Sequence, residues 1–243
     1  MASNNLLKTF KNPVLIIFIT LCVYLSGLAF SLWSLTPSSV AEERPILVPL
    51  KRVMPDITLD LRYTTRSNFT GQVVPGYQHH ATCLVTPSTA QALLQVETTL
   101  RQKGFRLVVY DCYRPQEAVD AFYEWSLQPD KPKPKRQYYP NEAKQTLFEK
   151  GYIAKTSNHT QGHTVDLSLL QCPVPKNSNR HLKCKPVEMG TPFDFFDVAS
   201  HTDAQQISEQ AKQNRRLLKS AMEAEGFTNL PQEWWHYSLL KSL

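Results

Sequence analysis

The stretch Ser157-Asn158-His159-Thr160-Gln161-Gly162-His163-Thr164-Val165-Asp166-Leu167-Ser168-Leu169 decides how the chain is read. Gly162 supplies a turn. From there to Leu169 apolar and polar side chains alternate, with Val165, Leu167 and Leu169 on one face and Thr164, Asp166 and Ser168 on the other. A period of two predicts a half-buried strand. A helix would put His159 and His163, four residues apart, on one face, but the glycine turn and the alternation argue for a loop followed by a strand. His163 is therefore read as pocket wall or as support for neighbouring groups. The ionisable residues of interest then lie in the loop and on the polar face where the strand begins.

Working outward, Phe105 to Tyr110 reads as a buried strand that delivers Asp111-Cys112-Tyr113-Arg114-Pro115 at its far end. Before it, Pro87 to Lys103 has helical spacing, with Ser88 as the expected cap, Ala92, Leu93, Val96 and Leu100 inward, and Gly104 ending the helix. Pro115 suits the first turn of a following helix whose Ala118, Phe122 and Trp125 face the core. The basic, proline-rich run from Pro129 to Arg136 is expected to be a solvated loop. Toward the N-terminus, Arg44 to Gly76 is irregular, with a short strand expected at Ile57 to Tyr63, and His79 and His80 read most simply as a polar loop. Toward the C-terminus, Asp203 to Glu225 is expected to be a long helix stopped by Gly226, and Trp234 to Leu240 a last strand. Helices interspersed with short strands, without a repeated strand–helix unit, predict an α+β fold. The expected form is a single compact domain with a central, mainly antiparallel sheet flanked by helices and the functional site at the sheet.

Composition agrees with one globular domain. The 243 residues are 42% hydrophobic and 20% charged, which excludes disordered, collagen-like and low-complexity chains. No internal period of the kind that marks solenoids or propellers is found. The net charge is +6; setting aside Lys8 and Lys11, the only charges in residues 1–41, leaves 25 basic against 21 acidic residues. An excess so mild argues against nucleic acid as a partner.

Residues 1–41 are set apart from the rest. Lys8 and Lys11 precede an uncharged apolar run, Val14 to Leu35, and Ser39-Val40-Ala41 offers a small-residue cleavage site before Glu42. The segment is expected to be a signal peptide, or else an N-terminal membrane anchor, since the run is long enough to cross a bilayer core of roughly 30 Å. Cys22 follows Leu21, a larger residue than lipoprotein cleavage sites usually accept, which argues against lipid attachment. Residues 42–243 are then expected to be an exported domain, periplasmic or in the cell envelope, that meets the membrane only through residues 14–35 if these are retained. The remaining cysteines, Cys83, Cys112, Cys172 and Cys184, are even in number, as in an oxidising compartment. Of the three possible pairings, Cys172 with Cys184 and Cys83 with Cys112 is favoured, because the short Pro-, Lys- and Asn-rich interval after Cys172 looks like a loop that a bond closes.

Three groups carry chemistry: the loop and strand from Ser157 to Asp166, Glu233-Trp234-Trp235-His236, and Asp111 to Pro115. Zinc takes nitrogen and oxygen donors in a tetrahedron and, in catalytic sites, leaves one position open, so His159, Asp166 and His236 make a sufficient set for one ion per chain. Glu233 would act as general base and Arg114, with its permanent charge and forked donors, would stabilise an oxyanion. A regular strand puts residues three apart on opposite faces, so Glu233 is expected in the turn before the strand that carries His236.

The order Ser-x-His-x-x-Gly-x-x-x-Asp, then Glu-x-x-His far downstream, resembles the zinc D-alanyl-D-alanine dipeptidases of the VanX type, peptidase family M15. The likeness extends through Asp60-Leu61-Arg62-Tyr63, Asn68-Phe69-Thr70-Gly71, Tyr113-Arg114-Pro115, Met189-Gly190-Thr191-Pro192-Phe193-Asp194 and Asn214-Arg215-Arg216, covering roughly residues 45 to 240. Thr164 departs from the pattern, standing where a small Ala is usual. The resemblance implies a compact α+β peptidase that splits a small D,D-dipeptide, with zinc on His159, Asp166 and His236, Glu233 as base and Arg114 at the tetrahedral intermediate. It also implies that Tyr63, Asp111, Ser157 and Asp194 bind substrate, with Asp111 behind Arg114 and Asp194 suited to a free ammonium group. A D,D- or L,D-carboxypeptidase would use the same ligands. A non-catalytic wall-peptide binder would be expected to lack Glu233. Outside the cytoplasm, such an activity fits wall turnover or salvage of D-alanine.

Overall fold

The computed structural model describes residues 45–77, 82–173 and 183–239. The apolar N-terminal run, Cys22, His79 and His80 lie outside them, and no helix among the described residues is long and apolar enough to cross a membrane.

The main sheet is built on β5 (Thr164–Gln171), whose neighbours are β4 (Phe105–Asp111) and β8 (His236–Leu239). Outside these lie β2 (Thr58–Leu59), parallel to β4, and β7 (Phe227–Asn229), antiparallel to β8, while β6 (Lys185–Pro186) pairs with the far end of β5. All pairings in this sheet but β2–β4 are antiparallel. A separate two-stranded sheet joins β1 (Val48–Pro49) to β3 (Leu84–Val85). The short helix α1 (Leu50–Val53) follows β1.

Cross-strand partners share a face, so the register sorts the sheet into two layers. Val109 faces Leu167, Leu107 faces Leu169 and Val165 faces Tyr237. This row is buried against α2 (Pro87–Gln102) and α6 (Glu209–Glu223), which contribute Leu93, Val96, Leu100, Leu218 and Met222 to the core. The opposite face carries Asp166 and His236. A register shift between Val109 and Asp111 sets Asp111 across from Asp166. Such a bulge re-aims a side chain, and here it lines up Asp111, Asp166 and His236 across three adjacent strands.

Several local expectations change. β5 is buried on both faces rather than half-buried; its polar row is covered by an aromatic layer in which Phe193 meets Tyr110, Tyr63 and Trp235, and Thr164 pairs with the Ser238 hydroxyl at 2.8 Å. The cap of α2 is Thr86, not Ser88: Thr86 has an extended backbone and its hydroxyl accepts from the Thr89 amide, which leaves Pro87 at the first helical position. Pro115 likewise stands before α3 (Gln116–Ser126) rather than inside it. The helix expected from Asp203 begins only after Ser208, whose hydroxyl accepts from the Ala211 amide. The strand expected over Ile57–Tyr63 is only β2, since Arg62–Thr64 turns into a 3₁₀ helix. The basic link is not a loop: two prolines start α4 (Pro132–Tyr138), which is followed by α5 (Lys144–Glu149). The disulfides Cys83–Cys112 and Cys172–Cys184 are both present.

Candidate active site

The site lies where β4 ends and β5 and β8 begin. A 3₁₀ turn, Asn158–Gln161, is capped by Ser157, whose hydroxyl accepts from the His159 amide at 3.3 Å. Gly162 closes that turn at a positive φ of 73°, a backbone conformation that side chains disfavour. His159 is thereby fixed with no exposed surface, and its Nδ1 lies 2.7 Å from the Cys112 carbonyl oxygen. A carbonyl only accepts, so Nδ1 carries the proton and Nε2 presents its lone pair inward.

That lone pair converges with two others. His159 Nε2 is 3.3 Å from His236 Nδ1 and 3.3 Å from Asp166 Oδ1, and His236 Nδ1 is 3.1 Å from Asp166 Oδ1. Asp166 Oδ1 is buried without a hydrogen-bond partner, so the short separations are not those of a satisfied hydrogen-bond network. Donors bonded to zinc at about 2.0–2.1 Å in a tetrahedron stand about 3.3–3.4 Å apart. The three donors therefore fit one zinc ion. Charge points the same way, since Asp111, Asp166, Asp194 and Glu233 are all buried and, among the described residues, Arg114 is the one permanent cation paired among them.

Arg114 lies against the Asp111 carboxylate, with Nε and Nη2 at 3.0 and 2.9 Å from Oδ2, and its Nη2 is 3.6 Å from Asp166 Oδ2. The rings of Phe122 and Tyr63 lie beside its guanidinium, at 5.1 and 5.5 Å. Asp111 does not line the cavity; it supports Arg114 from behind. Glu233 occupies the turn before β8, because the strand starts at His236 rather than at Trp234. Its Oε2 is 3.6 Å from His236 Nδ1, and burial pushes its carboxyl up to about 7. Asp194, the one non-glycine described residue at positive φ (62°), accepts from the Tyr63 hydroxyl at 3.0 Å. Strain of this kind persists where the surroundings impose it and is enriched at functional sites.

These groups surround a cavity of about 210 Å³, smaller than the roughly 300–1,000 Å³ typical of drug-sized ligands. Tyr63, Arg114, Ser157, Asp166, Asp194, Glu233 and His236 all line it. His163 does not: its carbonyl accepts from the Leu239 amide at the β5–β8 edge. Two supports were not foreseen from the sequence. Tyr77 donates to Asp111 Oδ1 at 2.6 Å, although its Pro-Gly-Tyr context reads only as a turn. The Cys112 carbonyl that orients His159 is a backbone atom, which residue type does not reveal. The walls supplied by Phe69, Tyr152 and Phe196 were also missed, because aromatic residues read first as core.

The protein family described as peptidase M15, D-Ala-D-Ala dipeptidase, matches over residues 44–243. Among curated proteins, the D-alanyl-D-alanine dipeptidase of Enterococcus faecalis is 38% identical, over 79% of this chain and 90% of that protein. The protein of the same name from Streptomyces coelicolor is 39% identical over 75% and 86%. That from Escherichia coli is 30% identical over 79% and 84%.

Proposed function

As the chain belongs to the D-Ala-D-Ala dipeptidase family of M15 peptidases, we propose that it hydrolyses D-alanyl-D-alanine, or a closely similar D,D-dipeptide, with one zinc ion held by His159, Asp166 and His236. The observation that carries this reading is the convergence of three donors, those of buried His159 and Asp166 and partly buried His236, 3.1 to 3.3 Å apart, beside a small cavity shared with Glu233 and Arg114. The chemistry contributed by zinc on these ligands is Lewis acidity, which makes water nucleophilic near neutral pH.

The chain's own residues do the rest. Glu233, beside the triad, takes a proton from water as its oxygen bonds to the peptide carbonyl carbon, and delivers a proton to the departing amine when the C–N bond breaks. Arg114 directs donors at the oxygen that gains charge, and Asp111 with Tyr77 behind it keeps that guanidinium in place. Asp194, steadied by Tyr63, receives the substrate ammonium, and Ser157 borders the same space. Holding a free terminus in a cavity of this size selects a dipeptide over longer peptides. The two disulfides support a site of action outside the reducing cytoplasm, in turnover of wall peptides or salvage of D-alanine.

Release of D-alanine from D-Ala-D-Ala, beside a longer peptide ending in D-Ala-D-Ala, tests the proposal. Cleavage of the dipeptide in preference is expected. Cleavage of the longer peptide alone would reassign the chain to carboxypeptidase chemistry, and cleavage of neither by zinc-supplied protein would leave a binding function.

A further inference from the structure

We propose that the Cys83–Cys112 disulfide is a positioning element of the metal site, holding the Cys112 carbonyl against His159 and thereby setting the direction of the Nε2 lone pair; this rests on the metal reading of the triad. β4 ends at Asp111, so residues 112–114 leave the sheet just before they reach the site. What fixes them is sparse. The Tyr113 amide donates to the Leu84 carbonyl at 2.9 Å, the Arg114 amide donates to the His159 carbonyl at 3.3 Å, and the Cys112 carbonyl accepts from His159 Nδ1 at 2.7 Å. The fourth tie is covalent: Cys112 is bonded to Cys83, whose own carbonyl accepts from the Leu50 amide at the head of α1.

Both sulfur-bearing residues are almost fully buried, at 1% and 2% exposure, so the bond is part of the packing beneath the site. Its neighbours in the chain are Asp111, which holds Arg114, and Leu84, which pairs with β1. One short segment thus orients a ligand histidine through a backbone oxygen and the guanidinium through a carboxylate, and the disulfide anchors it to β3. Groups that accept from a ligating histidine set its tautomer and ring direction, and losing them typically weakens metal binding 10- to 100-fold. The chain supplies its own control. Cys172–Cys184 sits past the end of β5, six residues from Asp166 and therefore about 20 Å along the strand.

Zinc affinity of the full chain, measured by competition with a chromophoric chelator, tests this beside the ¹⁵N resonance of the His159 Nδ1–H. Cys83→Ala/Cys112→Ala is expected to bind zinc about tenfold more weakly and to shift that resonance, whereas Cys172→Ala/Cys184→Ala stays within about twofold of the parent. Should the first variant not fold, Cys83→Ala/Cys112→Val, which refills more of the volume, takes its place. Unchanged affinity in a folded variant lacking Cys83–Cys112 overturns the positioning role while leaving the metal reading intact. Equal weakening in both variants also overturns it, because the effect would then follow general destabilisation. No zinc binding by the parent chain overturns the metal reading and the positioning role together.

Discussion

Replacing Glu233 separates proton transfer from metal holding. Glu233→Gln keeps the shape of the turn and removes the base, so zinc content should stay at the parent level while turnover falls by about 10²- to 10⁴-fold. His236→Ala removes a donor and should lose both; unchanged zinc content in that variant would refute the ligand assignment. Arg114→Ala should lower turnover by about 10²- to 10³-fold with little effect on zinc. An equal loss of metal would make Arg114 a structural residue through its contact with Asp166. The side chains in these predictions were legible in the sequence because their chemistry is written in residue type. The atoms that aim them were not: the Cys112 carbonyl and the Tyr77 hydroxyl act through geometry, and nothing in the spacing of a Pro-Gly-Tyr turn announces a hydrogen bond to a residue 34 positions away.

Between neighbouring elements, register and turn conformation carry the site. Gly162 has a φ of 73°, and a Cβ there would collide with Leu47 Cδ2. Gly162→Ala should therefore destabilise the protein by about 1–3 kcal/mol, read as a lower Tm, and should reduce activity in the protein that remains folded, since His159 is in the same turn. Periodicity located β4, β5, α2 and α6 correctly in outline, because each must bury one apolar row. It missed that β5 is buried on both faces, since Thr164 is satisfied by the Ser238 hydroxyl of another strand and Asp166 is turned toward His159 and His236. It also could not show the shift between Val109 and Asp111, which depends on the pairing of two strands distant in sequence. The basic run was misread for a related reason: its charges are solvated, but its prolines start a helix whose Tyr138 anchors in the core.

For the molecule as a whole, buried polar groups without partners mark where stability can change. The Tyr139 hydroxyl is buried and makes no hydrogen bond among the described residues, and burial pushes its pKa up to about 12 from an ordinary 10. A group whose folded pKa is raised contributes stability below the unfolded value and loses it as pH rises toward the folded one. Denaturant melts of Tyr139→Phe should show equal or greater stability at pH 7, by up to about 1–2 kcal/mol, and a shallower decline above pH 10 than the parent; a clear loss at pH 7 would mean that the hydroxyl is satisfied. Chain entropy assigns about 3–4 kcal/mol to the loop closed by Cys83–Cys112 and about 3 kcal/mol to that closed by Cys172–Cys184. Their stabilising effects should therefore be similar even though only the first is tied to the site.

The central claim is that His159, Asp166 and His236 hold one zinc ion on which dipeptide hydrolysis depends. Zinc titrated into metal-stripped protein, with D-alanine release from D-Ala-D-Ala followed in the same sample, tests it most directly. The account predicts that binding and activity rise together and saturate at one zinc per chain. Hydrolysis at full rate before any zinc is added, or zinc bound at that ratio by the His236→Ala variant, would contradict it.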